Sequence, residues 1–519
     1  MPRRLGVARA AALLAALTAV SQLLGIVRDA VIAAVYGAGA AIDAYLVAQG
    51  LMNLVLALVA GAMARAVVPP VSRAAAKGEH ERADRVVQTA LTVTLLVLVS
   101  GSVVMYLAAD VVVRILAPGF DDGTAAIAVE LTRVVLFATV FIAGTNILAA
   151  AAQSRGRFLH SGLEGIPFNL VMIGAAAWFG TQFGVQALAV GFVVGSAARF
   201  VVQLPPLRAV GFRLRPRFAV RDTDFGEVMR LAPPLLLTTA VVNVNTLVDR
   251  AVGSAQGEGV IASLNFGWRI VTLVDSLLVV TVAAALYPAF STVGTPERRA
   301  ELRDLLGRAL RIMLVILTPA VAILVVAVDP LVRVIFGRGN FDTEAIAMTS
   351  VAVCGYALSA VMIGMRSLTT RASLAIGDTR LPVLTAVVIM ALNVLGDLTL
   401  GITYGVAGLA ASTSMSLAVG TVLLVVLLGR RHDAVRLTPL MATTARVGAA
   451  GLVAALACHL LGVPAAFDGG GLAADIGNVV LSVGCLLAIY GGLLALARSR
   501  ELSELVTVVR ERLLPGWRG

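Results

Sequence analysis

The basic side chains of this 519-residue chain fall on every second connection between its apolar stretches. Arg3, Arg4 and Arg9 open the chain, and the next connection, from Tyr36 to Ala41, has no basic residue. Arg65, Arg73, Lys77, Arg82 and Arg85 follow, whereas the connection from Pro118 to Thr124 is acidic. The alternation continues through Arg155/Arg157, Arg208 to Arg221, Arg298 to Arg308, Arg371/Arg380, Arg430 to Arg436 and Arg498/Arg500. The connections between these clusters, near Gln182, Gln256, Asn340, Tyr404 and Asp468, hold a single basic residue, Arg338. Basic loops resist translocation and stay cytoplasmic. The pattern predicts a multi-pass protein of the bacterial cytoplasmic (inner) membrane with both termini inside.

A chain that is 59% hydrophobic and 14% charged, with a mean hydropathy of +0.94, is excluded from the water-soluble globular class. Spans of roughly 20 apolar residues are expected near 8–35, 40–66, 87–115, 125–152, 160–180, 185–207, 227–253, 258–288, 308–334, 343–369, 381–403, 406–429, 440–462 and 475–497. The net charge of +11 is dispersed over the predicted cytoplasmic loops, so topology accounts for it and no nucleic-acid partner is expected. The N-terminal apolar run continues past position 30 without a cleavage site and is expected to be a span rather than a signal peptide. Cys354, Cys458 and Cys485 lie singly within spans and read as packing residues, and His80, His160, His432 and His459 are scattered. With no nucleophile elbow, phosphate loop or zinc spacing, the chain is not expected to be an enzyme.

The chain repeats itself. Phe120-Asp121 followed by Ala126-Ile127-Ala128 recurs as Phe341-Asp342 before Ala345-Ile346-Ala347. Gly184-Val185-Gln186-Ala187-Leu188-Ala189 recurs as Gly405-Val406-Ala407-Gly408-Leu409-Ala410. Arg28-Asp29 precedes Pro69-Pro70 by about as much as Asp249-Arg250 precedes Pro288, and the offset is about 220 positions throughout. Each half holds six spans, an even number, so both enter the membrane in the same sense, as in parallel-repeat transporters. The predicted fold is an all-α polytopic membrane protein of 14 transmembrane helices: an N-terminal lobe over 1–221, a C-terminal lobe over 222–436, two extra helices within 437–499, and a tail over 500–519. In that tail Leu502, Leu505, Val506, Val509 and Leu513 recur at helical spacing opposite Glu501, Glu504, Arg510, Glu511 and Arg512, which predicts an amphipathic helix at the cytoplasmic interface.

Charge facing lipid costs several kcal/mol, so charged residues within spans should face a cavity between the lobes. The candidates are Arg28, Asp29, Asp43, Asp249, Arg250, Arg269, Asp275, Arg366 and Asp397. Arg28 and Arg269 occupy equivalent early spans, and an anion between the lobes could engage both guanidinium forks. The alternative is a set of structural ion pairs, Arg28 with Asp29 or Asp43 and Arg269 with Asp275.

At these residues the chain resembles the MurJ/MviN lipid II flippases. Ser21-Gln22-Leu23-Leu24-Gly25-Ile26-Val27-Arg28-Asp29-Ala30 is similar to that family's first-span signature, and Tyr36-Gly37-Ala38-Gly39, Asp43-Ala44 and Asn53 follow in the family's order. Gly377-Asp378-Thr379-Arg380-Leu381-Pro382 is similar to its loop before span 11, and Arg157-Phe158 and Asn169 match more loosely. The resemblance covers essentially the whole chain. It implies the fold of the multidrug/oligosaccharidyl-lipid/polysaccharide exporter superfamily and a polyprenyl-pyrophosphate-linked glycan as cargo, with Arg28, Asp29, Asp43, Asn53 and Arg269 as its binding residues. Chains of that family usually carry Arg at the position of Gln22, an Arg pair and a Glu at those of Leu56, Ala57 and Gly61, and a Glu at that of Thr272, so the resemblance is to a divergent member with fewer cavity cations.

Asn393 and Asp397 are one helical turn apart and share a face. The resemblance implies a sodium site at matching positions, Asp249, Asn393, Asp397 and Thr413, whose oxygens suit a hard cation. Hydrogen bonding across helices is the other reading of Asn393 and Asp397. The expected function is alternating-access translocation of a polyprenyl-linked glycan, foremost the peptidoglycan precursor lipid II. The partners implied are the bilayer, that lipid and cell-wall synthesis proteins. A small-molecule or drug:cation antiporter of the same superfamily and a non-transporting cell-wall scaffold are the other classes.

Overall fold

A bilayer offers no water to backbone N–H and C=O groups, so a spanning segment must satisfy them within itself. The structure, a computed structural model, describes residues 7–57, 59–155, 162–208, 211–276, 296–467, 471–497 and Ser499, and these form helices and no strand. The predicted tail after 500, Arg157-Phe158, and the second half of the predicted eighth span lie outside the described residues.

The described helices of eight or more residues are α1 (Val7–Tyr36), α2 (Ala40–Ala57), α3 (Ala60–Ala76), α4 (His80–Leu116), α5 (Asp122–Val135), α6 (Ala138–Gln153), α7 (Gly165–Gly174), α8 (Gln186–Val202), α9 (Thr223–Ser254), α10 (Val260–Val274), α11 (Arg299–Val326), α12 (Val328–Phe336), α13 (Thr343–Ala375), α14 (Arg380–Gly396), α15 (Ile402–His432), α16 (Leu437–Leu460) and α17 (Leu472–Leu496). Among the described residues, ten runs of helix can cross a membrane by length and composition, or eleven if α5 and α6, bent by 43°, count as one span. One of the ten, Arg380–His432, is 53 residues long, about 80 Å at 1.5 Å per residue, against a hydrocarbon core of about 30 Å. It breaks at Gly405, whose φ of 57° and ψ of −130° are not helical. The predicted second span also departs from expectation: the helix stops at Ala57, Val59 leaves helical geometry, and α3 continues to Ala76.

The repeat has a counterpart in backbone detail. Asp121 caps α5 by accepting from the Gly123 and Thr124 N–H groups, and Asp342 accepts from the Ala345 N–H at 2.8 Å. A π-helical turn spans Ala175–Phe179 and another Asp397–Gly401, about 220 positions apart. Each is followed by a left-handed glycine, Gly184 (φ 58°) and Gly405 (φ 57°), a conformation that costs glycine little and other residues more. These glycines open the repeated Gly-Val-x-x-Leu-Ala segments.

Packing divides the chain into two units, one of Met1–Ala262 with Arg338–Ala345, the other of Ser263–Gly337 with Ile346–Gly519. The division does not follow the repeat boundary at 221, because α9 packs on α2, α3 and α4 of the first unit. The core of unit 1 joins α3, α4, α6 and α9 through Val67, Val71, Val87, Leu91, Ile147, Leu148, Phe225 and Val228. One end of it is tied by charge: Arg82 pairs with Asp224 and Glu79, Arg73 with Glu227, and Arg155 with Asp84. The Arg82 hydrogen bonds hold Asp224 below the usual carboxylate range. The contribution of the Arg82–Asp224 pair is therefore fully present above pH 3.8, the ordinary value, and is lost as pH falls through the lowered one.

One face of α4 in unit 1 is apolar and exposed. Leu96, Val99, Val103, Leu107, Val111 and Ile115 of α4 recur at helical spacing and are exposed, the surface of a helix that faces hydrocarbon.

In unit 2, α11, α13, α15, α16 and α17 share a core that includes Leu306, Leu310, Met313, Leu368, Leu424, Leu428, Val447, Cys458, Leu486 and Leu494. Tyr490 of α17 donates to the Val315 carbonyl of α11 (3.0 Å), so the two helices beyond the repeat are fastened to this core. Ser414 donates to the Gly355 carbonyl (2.6 Å) and meets Ser359 (2.8 Å), polar glue between α13 and α15. The Gly377-Asp378 loop is a helix start: Gly377 has φ 82°, and Asp378 accepts from the Arg380 and Leu381 N–H groups and from His432 Nε2 (2.8 Å).

Candidate functional site

Unit 1 holds a cluster of arginines and acids on and beside α1, α7 and α8. Arg28 donates through Nε (2.9 Å) and Nη2 (2.7 Å) to Asp29 Oδ1, and through Nη1 to Asn169 Oδ1 (3.1 Å). Asn169 is oriented in turn by donating to the Ser21 carbonyl (3.0 Å). The Arg28 and Asp29 side chains are 21% and 13% exposed, so the pair is partly desolvated without being sealed. Of the two sequence alternatives, Arg28 pairs with Asp29 and not with Asp43. The pairing leaves one N–H on each terminal guanidinium nitrogen for a further acceptor.

Arg199, inside the predicted sixth span, was not among the candidates. Its guanidinium carbon lies 5.4 Å from the centre of the Phe168 ring, and that of Arg28 lies 5.7 Å from the same ring. Phe168 is itself held edge-on against Phe192. Glu164, which accepts from Gln203 at 3.4 Å, interacts electrostatically with Arg199. An aromatic face flanked by two guanidinium groups lets cations gather where repulsion would otherwise separate them. The signal was available in the sequence, since an arginine within a span is a functional candidate by default.

Asp43, the other partner expected for Arg28, bonds elsewhere. It is 1% exposed, and its carboxylate accepts from the Gly259 N–H (Oδ2, 2.7 Å) and the Ala262 N–H (Oδ1, 2.7 Å) at the start of α10. A carboxylate there satisfies backbone donors that the helix leaves open and meets the positive end of its dipole. Other bonds close the same end of unit 1: Ala40 N–H to Glu258 Oε1 (3.0 Å), Gly119 N–H to Ser254 Oγ (3.3 Å), and Asn340 to the carbonyls of Ala34 (2.8 Å) and Val35 (2.6 Å). The N-terminal repeat thereby bonds the first two helices of the C-terminal repeat, and the 338–345 loop bonds the first helix of the N-terminal one. Asn53 is exposed on α2. Arg250 lies against Gly50 of α2, where a Cβ would fall 2.9 Å from its guanidinium carbon.

Unit 2 carries Arg269, partly buried on α10, and Arg366, which donates to Thr385 Oγ1 (3.2 Å) and the Pro382 carbonyl (3.3 Å). Asn393 Nδ2 donates to Asp397 Oδ1 (2.8 Å) and to Ser412 Oγ (3.1 Å), and Ser412 donates back to the Asn393 carbonyl (3.0 Å). Asp397 is fully buried in the π-helical turn that follows α14. Thr413 donates to the Leu409 carbonyl at 3.2 Å. Asn393 thus turns its amide N–H, not its oxygen, to Asp397, and the Asp397 carboxylate and the Ser412 hydroxyl are the oxygens of this cluster that suit a hard cation in kind. Ser412 is a member the sequence reading missed. Asp249 is partly buried on α9, in unit 1. Among the described residues no group of three or more His, Cys, Asp or Glu could hold a metal.

A helical membrane fold repeated in two halves, with charged groups inside its spans, is the parallel-repeat plan of membrane transporters. Solved structures share the fold. "Lipid II flippase MurJ, inward closed conformation" superposes with a TM-score of 0.78 at 20% identity over 93% of this chain and 99% of that one. An inward-facing multidrug resistance MATE family transporter of the MOP superfamily superposes at 0.66 and 16% identity, over 80% and 95%. The family model described as "Lipid II flippase MurJ" matches residues 32–474, and the chain belongs to that family. The "Lipid II flippase MurJ" of Burkholderia cenocepacia is 27% identical over 92% of this chain and 95% of its own length. The "Probable lipid II flippase MurJ" of Vibrio cholerae is 28% identical over 78% and 79%.

Proposed function

We propose that this protein carries lipid II across the cytoplasmic membrane by alternating access, its lipid tail staying in the bilayer while the charged headgroup crosses. Family membership over most of the chain carries this reading. The cluster around Arg28 adds a chemical reason, because a pyrophosphate needs guanidinium donors that remain available after the protein's own pairings. In this reading Arg28 and Arg269 hold the anion, Asp29 and Asn169 fix the Arg28 fork, and Asn53 lines the path. The basic connections face the cytoplasm, both termini are inside, and the repeat halves over 1–221 and 222–436 are the moving bodies. Moving a dianion outward with the interior negative is favourable by about 2.3 kcal/mol per charge per 100 mV. No bond is broken, so no nucleophile or general base is required.

The drug antiporter and scaffold readings are not favoured; likeness to the multidrug transporters is one of fold. The test is to deplete a bacterium of its own flippase and measure how much lipid II becomes accessible at the outer face when only this protein is supplied. Accessibility restored to near the undepleted level is expected. Accumulation of lipid II inside, with the protein present in the membrane, would falsify lipid II as cargo.

Arg199 is expected to contribute as the second cation at Phe168. Arg199→Gln should weaken lipid II binding about tenfold, the scale of one charge-assisted hydrogen bond, and Arg199→Lys less. Binding unchanged in Arg199→Gln would assign Arg199 to pairing with Glu164 alone.

We propose further that sodium binds in the C-terminal half through Asp397, Asn393 and Thr413, with Asp249 joining them. When bound, the ion would supply positive charge to balance the buried Asp397 carboxylate. Asp397→Asn should abolish any sodium dependence of transport and of thermal stability. A sodium-induced rise in melting temperature that survives Asp397→Asn would place the ion elsewhere. Cell-wall synthesis proteins remain the proposed protein partners.

A further inference from the structure

One basic segment of unit 1 is fixed along its backbone while its side chains point outward. The short helix Leu204–Arg208 gives way to Gly211 (φ 78°), after which Phe212 enters the core, 4% exposed and 5.6 Å from the Arg155 guanidinium. The non-helical stretch that follows is tied to α4 at two points one turn apart. Gln88 Nε2 donates to the Arg213 carbonyl (2.7 Å), and the Arg217 N–H donates to Thr92 Oγ1 (3.0 Å). Asp222 then caps α9. Between these anchors the sequence alternates Arg213, Leu214, Arg215, Pro216, Arg217, Phe218, and all six are exposed, Phe218 by 67% and Leu214 by 48%.

The height of this strap follows from α4. Its exposed apolar stripe begins at Leu96, one turn past Thr92, and runs to Ile115. That is about 28 Å of helix at 1.5 Å per residue, close to the thickness of a hydrocarbon core of about 30 Å. The strap lies alongside Gln88 and Thr92, just before the stripe begins, which is the level of the lipid headgroups. Four acids on the adjoining ends of α4 and α9 and on the loop before α4 are already engaged by other arginines: Glu79 and Asp224 by Arg82, Asp84 by Arg155, and Glu227 by Arg73. Arg213, Arg215 and Arg217 make no ion pair among the described residues.

We propose that residues 213–218 form a binding strap for anionic phospholipid headgroups of the leaflet they face. Arginines at the headgroup level engage lipid phosphates, while Leu214 and Phe218 enter the acyl boundary beside them. The strap is continuous with the lipid-facing side of α4 and makes no use of the groups assigned to the transported headgroup.

The test uses full-length protein carrying Phe218→Trp in nanodiscs, with brominated lipid as a quencher and the parent chain as background for its three native tryptophans. Brominated phosphatidylglycerol should quench the added indole at least about threefold more than brominated phosphatidylcholine at equal mole fraction. The preference should shrink in high salt and disappear when Arg213→Gln, Arg215→Gln and Arg217→Gln are combined. Equal quenching by both lipids, no quenching by either, or a preference that survives the triple variant would each overturn the proposal. Should the triple variant fail to fold, the two-lipid comparison on Phe218→Trp alone decides. Because both nanodisc faces have one composition, the result does not depend on membrane orientation or on whether lipid II is the cargo.

Discussion

Arg28→Ala is expected to abolish lipid II translocation while leaving the protein in the membrane at its normal level, and Arg28→Lys to recover only part of it. The loss should reach about 2–5 kcal/mol, the cost of truncating one partner of a hydrogen-bonded charge pair, which is a roughly 30-fold to several-thousandfold fall in flux. Alanine removes both the free N–H groups offered to the anion and the partner that Asp29 and Asn169 are arranged around. Lysine restores the charge without the fork. Arg269→Ala is expected to be equally severe. Full activity in the combined Arg28→Ala and Arg269→Ala variant would exclude an arginine-held anion, and the antiporter reading would then have to be reopened.

Asp43→Ala should be nearly as damaging for a different reason. Its carboxylate satisfies the N–H groups of Gly259 and Ala262 with two bonds of 2.7 Å, each worth about 1.5–3 kcal/mol as a bond to a charged group. Removing it leaves two donors at the start of α10 open and loosens the end of unit 1 where Ala40, Gly119 and Asn340 also bond across the repeat. In a background lacking Cys354, Cys458 and Cys485, a cysteine introduced by Ala40→Cys should react with a membrane-impermeant maleimide at least about tenfold faster once Asp43→Ala is added. Asp43→Asn, which keeps one acceptor oxygen, should fall between. Reactivity that does not change, with transport intact, would reduce Asp43 to a local cap with no bearing on access.

Much of the fold was legible in the chain. Membrane insertion is read from side-chain charge and apolar length, both properties of the sequence, so the loop alternation and the apolar stretches carried the class of protein. The repeat was legible because Phe120-Asp121 and Phe341-Asp342 are local devices, helix caps whose bonds close within a few residues. The glycines at 184 and 405 are local in the same way, their left-handed backbone being written in the residue type. Helix breaks were less legible. Nothing in the residues around Val59 announced that α2 would stop there, and the two π-helical turns left no mark in apolar spacing.

The sequence by itself determined which residues carry charge into the membrane, among them Arg28, Asp29, Asp43, Asp249, Arg269 and Asp397, because the cost of that charge depends on side-chain type and span position alone. Only the tertiary structure decided their partners. Arg28 chose Asp29 and Asn169, Asp43 chose the start of α10 more than 200 positions away, and Arg199 joined Arg28 at the ring of Phe168. The physical reason is distance. A hydrogen bond or a cation over a ring is made or lost within a few ångströms, and which helix faces come that close is set by packing that no local pattern encodes.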